Sequence, residues 1–427
     1  MKKIHKTILI CGLGSALEWY DFALFGSLAP ILANVFFHAD KQMTSLLLVF
    51  TTFASGFLMR PIGAAYFGRI GDKYGRKAAL STTVILMAFS TTMIGLAPTY
   101  THVGILAPIF ITLMRLVQGF SASGEYPNAI SLITEMSPSK YRGFYGSFSV
   151  VGVVAGMLLS TIIVALVTAM MNNNTFNSWG WRIPFLLSIP LGLLGFYLRY
   201  KMDESPIFQE LFNRNKLSDT PIFDVINKKS RQTIRIFCIF LFSTVSFYIV
   251  FIYLPAHISN AQKITLKMLS IMNSVNIGIL LFLIPFFGSL SDHYNRENVM
   301  ASGIMLIGFF SYPFFLIVEN GIFENIFFSQ SLFSILLSMV VGPMAAFVAE
   351  QLPANIRTSG ISLGLNFSAS FFGGTAPLVS MYLIRLFGAN IAPCFYLIFC
   401  ALIGLFAILK MNSTKVLEEL NFQNNLI

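Results

Sequence analysis

Very few ionisable side chains interrupt the long apolar blocks of this 427-residue chain, and their spacing is the first clue to chemistry. Glu18 and Asp21 stand on one face of a helix, about 10 residues, or roughly 15 Å, into the first block. Arg115 falls near the middle of the fourth block with Gln118 and Gly119 on its face, and Glu125 follows about three turns nearer the block's end. Arg60 is read as lying near the inner end of the second block, which leaves Arg115 as the one cation near mid-depth. An ionised group alone at mid-bilayer costs at least ~3 kcal/mol, so such groups tend to be paired or functional. Burial disfavours the charged form of a carboxylate and a nearby arginine favours it, so an acid that alternates between arginine and water can load and release a proton. Two readings follow. Glu18, Asp21 and Glu125 are proton-coupling groups, or Glu18, Asp21, Arg115 and Glu125 form a permanent ion-pair network that holds the first and fourth blocks together. Arg115 is equally suited to an anionic substrate group and to a structural partner.

The elements that must position these groups are membrane helices. The chain is 56% hydrophobic and 11% charged, with a mean hydropathy of +0.73, whereas soluble domains are roughly 25% charged. Apolar blocks of about 20 residues, enough to cross a hydrocarbon core, are expected near 8–35, 44–67, 78–97, 103–131, 143–170 and 181–200. A second set is expected near 234–256, 268–290, 299–318, 325–349, 359–384 and 393–410. The fold class is therefore an all-α membrane protein of twelve transmembrane helices. Residues 1–200 and 234–410 form two six-helix bundles, 201–233 a cytoplasmic linker rather than a folded domain, and 411–427 a cytoplasmic tail. The first block follows a basic start and resembles a signal peptide, but Glu18 and Asp21 interrupt it and no small-residue cleavage site ends it, so it is expected to remain as a helix. Cys11, Cys238, Cys394 and Cys400 all lie in or beside apolar blocks, which favours packing over a disulfide or metal framework.

The net charge of +10 forms no continuous patch, which speaks against a nucleic-acid partner. Of the Lys and Arg residues between the blocks and at their ends, most, Arg199 included, fall on one face, and only Lys41, Arg182, Lys263, Lys267 and Arg385 fall on the other. The positive-inside rule then puts both termini in the cytoplasm. The halves also repeat each other. Gly68, Asp72 and Arg76 of GRIGDKYGRK recur at a constant offset of 220 as Gly288, Asp292 and Arg296 of GSLSDHYNRE. Glu135, Pro138 and Arg142 of EMSPSKYRG recur at an offset of 215 as Glu350, Pro353 and Arg357 of EQLPANIRT. Both copies lie on the same side, so the repeat is parallel. Asp72 can face a helix N-terminus and Arg76 a carboxylate or a helix C-terminus.

These loops resemble the major facilitator superfamily, whose hallmark is a G-x-x-x-D-x-x-G-R-[KR] loop after the second helix. Gly68, Asp72, Gly75, Arg76 and Lys77 fit it, while Asn295 stands where the second copy usually has Gly. EWYDF from Glu18, RPIGAAYFGRIGDKYGRK from Arg60, RLVQGFSASGEYP from Arg115, WGWRIPF from Trp179 and DESPIF from Asp203 are similar to the metabolite:proton symporter branch. That branch includes proline/betaine, α-ketoglutarate, citrate and shikimate carriers. The resemblance implies alternating access, with Asp72, Arg76, Glu135, Arg142, Asp292, Arg296, Glu350 and Arg357 forming a cytoplasmic gate.

The second half does not repeat the buried charges: Gln330 stands opposite Arg115, Val340 opposite Glu125 and Ser246 opposite Glu18. Coupling is therefore expected in the first half and substrate selection in the second. Candidate substrate ligands are Arg115, Trp19, Tyr20, Tyr248, Asn276, Gln330 and Asn366, with Tyr253, Asn273 and Ser370 nearby; aromatic faces attract quaternary ammonium groups. One mid-depth cation fits a zwitterion or monocarboxylate, although Arg182 as a second anion contact keeps a di- or tricarboxylate open. His257 is read as interfacial. No Walker-type loop, H-E-x-x-H or G-x-S-x-G motif is present, so the chain is expected to be no enzyme, to need no cofactor or metal, and to draw on a proton gradient. The expected partners are a small-molecule substrate, protons and the lipid bilayer, with the protein a monomer in a bacterial inner membrane. Export of drugs or a siderophore-like metabolite is the alternative within the fold. A non-transporting sensor would need an appended domain, and only the tail from Met411 to Ile427 is available.

Overall fold

A computed structural model of the chain describes residues 2–37, 42–261 and 266–410. Lys41, Lys263 and the tail 411–427 lie outside the described residues. Every regular element among the described residues is helical. Eleven helices are long and apolar enough to cross a membrane. They are Ile4–Ser27, Leu48–Lys73, Arg76–Leu96, Leu106–Met136, Ser139–Met170, Phe176–Tyr200, Ser230–Tyr253, Met268–His293, Arg296–Glu319, Phe323–Glu350 and Arg357–Phe387. A shorter apolar helix, Pro393–Leu409, completes twelve spans, numbered one to twelve in chain order. Phe282, Phe309, Phe328 and Phe406 are largely exposed on their outer surfaces, an apolar exterior that suits lipid. The chain is a multi-pass membrane protein.

The sequence expectation ended span two near residue 67, but its helix continues to Lys73, because GRIGDK carries charges that end an apolar run without ending a helix. Arg60 therefore stands mid-span rather than near the inner end. Span two is also broken at Met59, between the helical segments Gln42–Leu58 and Arg60–Lys73. Pro61, in the first turn of the second segment, has no N–H to give to the carbonyl of Phe57. Ser370 of span eleven donates its hydroxyl to that carbonyl instead, at 2.7 Å, and so ties the two halves together at mid-depth.

Three π-helical segments loosen other spans, at Phe176–Gly180, Tyr248–Tyr253 and Ala369–Gly373; such segments often mark functional positions. The stretch read as a linker carries two short helices of its own, Pro206–Asn213 and Pro221–Lys228. Ser205 caps the first through its hydroxyl, which accepts from Phe208 N. Spans five and eight meet through glycine: a Cβ at Gly143 would stand 2.5 Å from the Gly288 carbonyl oxygen, so only glycine permits this approach.

Candidate functional site

The loops after spans two and eight hold the halves together by one construction used twice. Asp72 accepts the backbone N–H groups of Thr358 and Ser359, at 3.1 and 2.8 Å, at the start of span eleven. Asp292 accepts those of Gly143 and Phe144, at 2.7 and 2.8 Å, at the start of span five. Thr358 and Ser359 are the 215-offset counterparts of Gly143 and Phe144, so the sequence repeat is also a repeat of contacts. A carboxylate against free helix N–H groups joins charge-assisted bonding to the favourable end of the helix dipole.

The arginines complete the same pattern. Glu135 takes Arg76 of its own half at 2.9 Å and Arg357 of the other at 2.8 Å. Glu350 takes Arg296 of its own half at 3.3 Å and Arg142 of the other at 3.2 Å. Arg76 also donates to the Ala354 carbonyl at 2.6 Å. The two loop copies differ at one point. Gly75 has φ +103°, a left-handed backbone that favours glycine, whereas Asn295 has φ −50°. The second copy thus makes its turn without glycine, which accounts for the departure from the motif.

The linker adds a contact that the sequence did not announce. Glu204 of DESPIF accepts the backbone N–H groups of Arg76 and Lys77 at the start of span three, at 3.2 and 3.0 Å. Phe208 packs 5.3 Å from the Arg76 guanidinium. Burial pushes the Glu204 carboxyl above the usual carboxylate range, against the pull of these bonds and of Arg76. Hydrogen bonds and ion pairs join the halves at this face and further in, down to Ser370 and Phe57.

The intramembrane charges arrange themselves differently from the expected network. Among the described residues Arg115 meets no carboxylate: it donates to Gln118 Oε1 at 2.7 Å and to the Phe53 carbonyl at 3.5 Å. The rings of Phe22, Phe25 and Phe53 enclose it at 4.5 to 4.7 Å. Glu125 pairs instead with Arg199, which the charge pattern had assigned to topology alone. Arg199 also donates to the Leu80 carbonyl, and Thr83 donates to Glu125, so spans three, four and six meet at one buried pair. Ser188 of span six donates to Asp21. Glu18 is 3% exposed and its Oε2 has no hydrogen-bond partner among the described residues. The permanent network of Glu18, Asp21, Arg115 and Glu125 is therefore absent, because Arg199 reaches Glu125 first and aromatic rings surround Arg115.

Several expected substrate ligands are engaged elsewhere. The Tyr20 hydroxyl is fully buried and donates to the Pro184 carbonyl at 2.7 Å. Asn276 donates to Gln330 Oε1 at 3.0 Å. Gln330 in turn donates to the Val250 carbonyl and to Asn273 Oδ1, each at 3.1 Å. This amide network braces the π-helical stretch of span seven, so its polar atoms are used within the second half. Asn366 donates across the halves to the Ser123 carbonyl at 2.9 Å. Arg182 caps the end of span three, donating to the Gly95 and Ala97 carbonyls at 2.6 and 2.8 Å. His257 stacks on Tyr253 at the end of span seven.

What does come together at mid-depth is aromatic. Trp19, Phe22 and Phe57 of the first half surround the Arg60 guanidinium, at 5.6, 5.2 and 5.0 Å from their ring centres. Tyr248 of the second half meets Phe57 edge-on at 6.2 Å. Phe22, Phe57 and Arg60 were not among the expected ligands. The run EWYDF could have signalled Phe22, but a chain with 44 Phe residues hides any single one.

Comparison with known proteins agrees with this architecture. Residues 7–230 match the family described as Sugar (and other) transporter, and residues 236–421 match the Major Facilitator Superfamily. The chain is 33% identical over 422 residues to a proline/betaine transporter of Salmonella typhimurium, covering 96% of this chain and 84% of the relative. It is 36% identical over 409 residues to a putative proline/betaine transporter of Staphylococcus aureus, covering 95% and 88%. Among solved structures, the proton:xylose symporter XylE superposes with a TM-score of 0.77 at 17% identity, covering 96% of this chain and 95% of that one. Likeness over nearly the whole chain to named transporters, and a fold shared with a solved one, make this chain a multi-pass transporter, not an enzyme, that belongs to the major facilitator superfamily.

Proposed function

We propose that the protein is a proton-coupled symporter that moves a small zwitterionic or carboxylated metabolite by alternating access, with proline or a betaine favoured. The observation that carries this reading is a buried carboxylate, Glu18, whose Oε2 has no hydrogen-bond partner among the described residues and which acts electrostatically on Arg60, the centre of an aromatic cluster that spans both halves. The acid is a group that can gain and lose a proton, and aromatic faces suit an ammonium. The substrates named for the relatives support the same class. Glu18 and Asp21 are the proposed coupling groups, with the Glu125–Arg199 pair behind them; the paired loops are the gate. The concentration of basic residues on the gate's side supports a cytoplasmic position for the gate and both termini in a bacterial inner membrane; the conformation described is then latched inside, and the proposed working unit is a monomer that draws on the proton gradient without a cofactor.

The test is accumulation in proteoliposomes under an inward proton gradient. Uptake of proline or glycine betaine above equilibrium is expected, with collapse when the gradient is discharged. Accumulation that survives Glu18→Gln combined with Asp21→Asn removes the coupling assignment. The second cation at mid-depth, Arg60, favours a dicarboxylate as the next reading, and succinate uptake in place of proline uptake would select it. Efflux-dependent resistance without uptake of osmolytes or organic acids would select an exporter.

A further inference from the structure

Five buried arginines in this protein are accounted for. Arg76, Arg142, Arg199 and Arg357 each meet a carboxylate, and Arg115 is held by Gln118 and the Phe53 carbonyl with no exposure. Arg60 is the exception. It is 4% exposed and its guanidinium makes no ion pair and no hydrogen bond among the described residues, whereas Arg115, likewise without a carboxylate, has two acceptors. Its close contacts among the described residues are ring faces. Cation–π contacts contribute about 0.5–2 kcal/mol, while an unpaired charge at this depth costs at least ~3 kcal/mol. Glu18 offsets part of that cost from beyond ion-pair distance, but the guanidinium's N–H groups are left with no acceptor to bond among the described residues.

We propose that Arg60 binds the substrate's carboxylate, in the fork geometry that a guanidinium offers, while the rings of Trp19, Phe57 and Tyr248 receive its ammonium end. The proposal rests on the zwitterion reading above and names the group within the site that would select for a carboxylate.

Position supports it as well as charge. Arg60 begins the helical segment after the break at Met59. The same break frees the Phe57 carbonyl that Ser370 of the other half takes. An anion drawn to Arg60 therefore sits at the deepest hydrogen-bonded contact between the halves, where binding can be felt by both. Arg115 lacks this placement, since the three rings around it belong to the first half.

The experiment uses purified full-length protein in nanodiscs and reads binding by tryptophan fluorescence, since Trp19 touches Arg60. The probes are glycine betaine, proline, succinate, and choline, which keeps the quaternary ammonium but has no carboxylate. Arg60→Gln should weaken glycine betaine and proline about 100-fold, the loss of a charge-assisted fork, and leave any choline binding unchanged. Arg60→Lys, which keeps the charge without the fork, should weaken the zwitterions about tenfold and serves if Arg60→Gln does not fold. Equal zwitterion affinity in wild type and in either folded variant overturns the assignment while the zwitterion reading stands. Wild-type binding of succinate alone overturns the zwitterion reading, and the same variants then judge Arg60 with succinate as the anion. Binding of choline alone overturns both.

Discussion

Replacing Asp72 by Asn should unlatch the gate by a calculable amount. Asp72 accepts two backbone N–H groups of span eleven and lies 3.5 Å from Arg76, with both side chains fully buried. Asparagine keeps one acceptor oxygen, so one N–H bond and the charge are lost. A hydrogen bond to a charged group contributes about 1.5–3 kcal/mol, which moves the equilibrium between latched and unlatched states roughly 10- to 150-fold. Glu135 still holds Arg76 and Arg357, so the protein should fold. Tyr74 and Tyr294, 64% and 65% exposed beside the two loop motifs, are suitable label sites after conversion to cysteine in a background without Cys11, Cys238, Cys394 and Cys400. Pulsed electron-spin distance measurements should show the short latched distance give way to a longer one in Asp72→Asn. Asp292→Asn should act in the same direction but less, because Arg296 beside it is 15% exposed while Arg76 is sealed, and water takes over part of the lost interaction. An unchanged distance distribution in Asp72→Asn, or a larger effect from Asp292→Asn, would refute the latch as described.

Removing one member of the Glu125–Arg199 pair leaves an uncompensated buried charge, so Arg199→Met alone should destabilise by about 3–5 kcal/mol. Combining it with Glu125→Gln should recover most of that in a thermal unfolding series, and neutrality of the single variant would contradict a structural pair. Glu204 predicts a pH dependence at the gate. Its carboxyl is pushed up by burial in the latched state, so proton binding favours that state, and the latched fraction of the spin-labelled protein should fall as pH rises through the raised value. Glu204→Gln, which cannot titrate, should flatten this dependence; an equally steep profile in the variant would remove the linker from the gate.

The twelve spans were legible because a membrane helix must bury a long apolar run, whatever its neighbours. The paired loop contacts were legible for a related reason: the internal repeat carries the same Asp, Arg and Glu types twice at fixed offsets, and a parallel duplication brings equivalent loops to equivalent helix starts. The boundary of span two was less legible, since charged residues end an apolar run while leaving the helix intact to Lys73. That shift alone carried Arg60 to mid-depth.

Partner choice among buried charges belonged to tertiary structure. Arg199 and Glu125 are 74 residues apart in sequence, and no local pattern says that spans four and six will bring them together while ring faces isolate Arg115. Tyr20, Asn276 and Gln330 had the right chemistry for a ligand, yet carbonyls freed by helix irregularities and neighbouring amides claimed them first. By itself the sequence determined which groups must be satisfied inside the bilayer, because hydrocarbon offers them nothing. Only the packing of the helices decided which groups satisfy one another and left the Arg60 guanidinium without a hydrogen-bonded partner among the described residues.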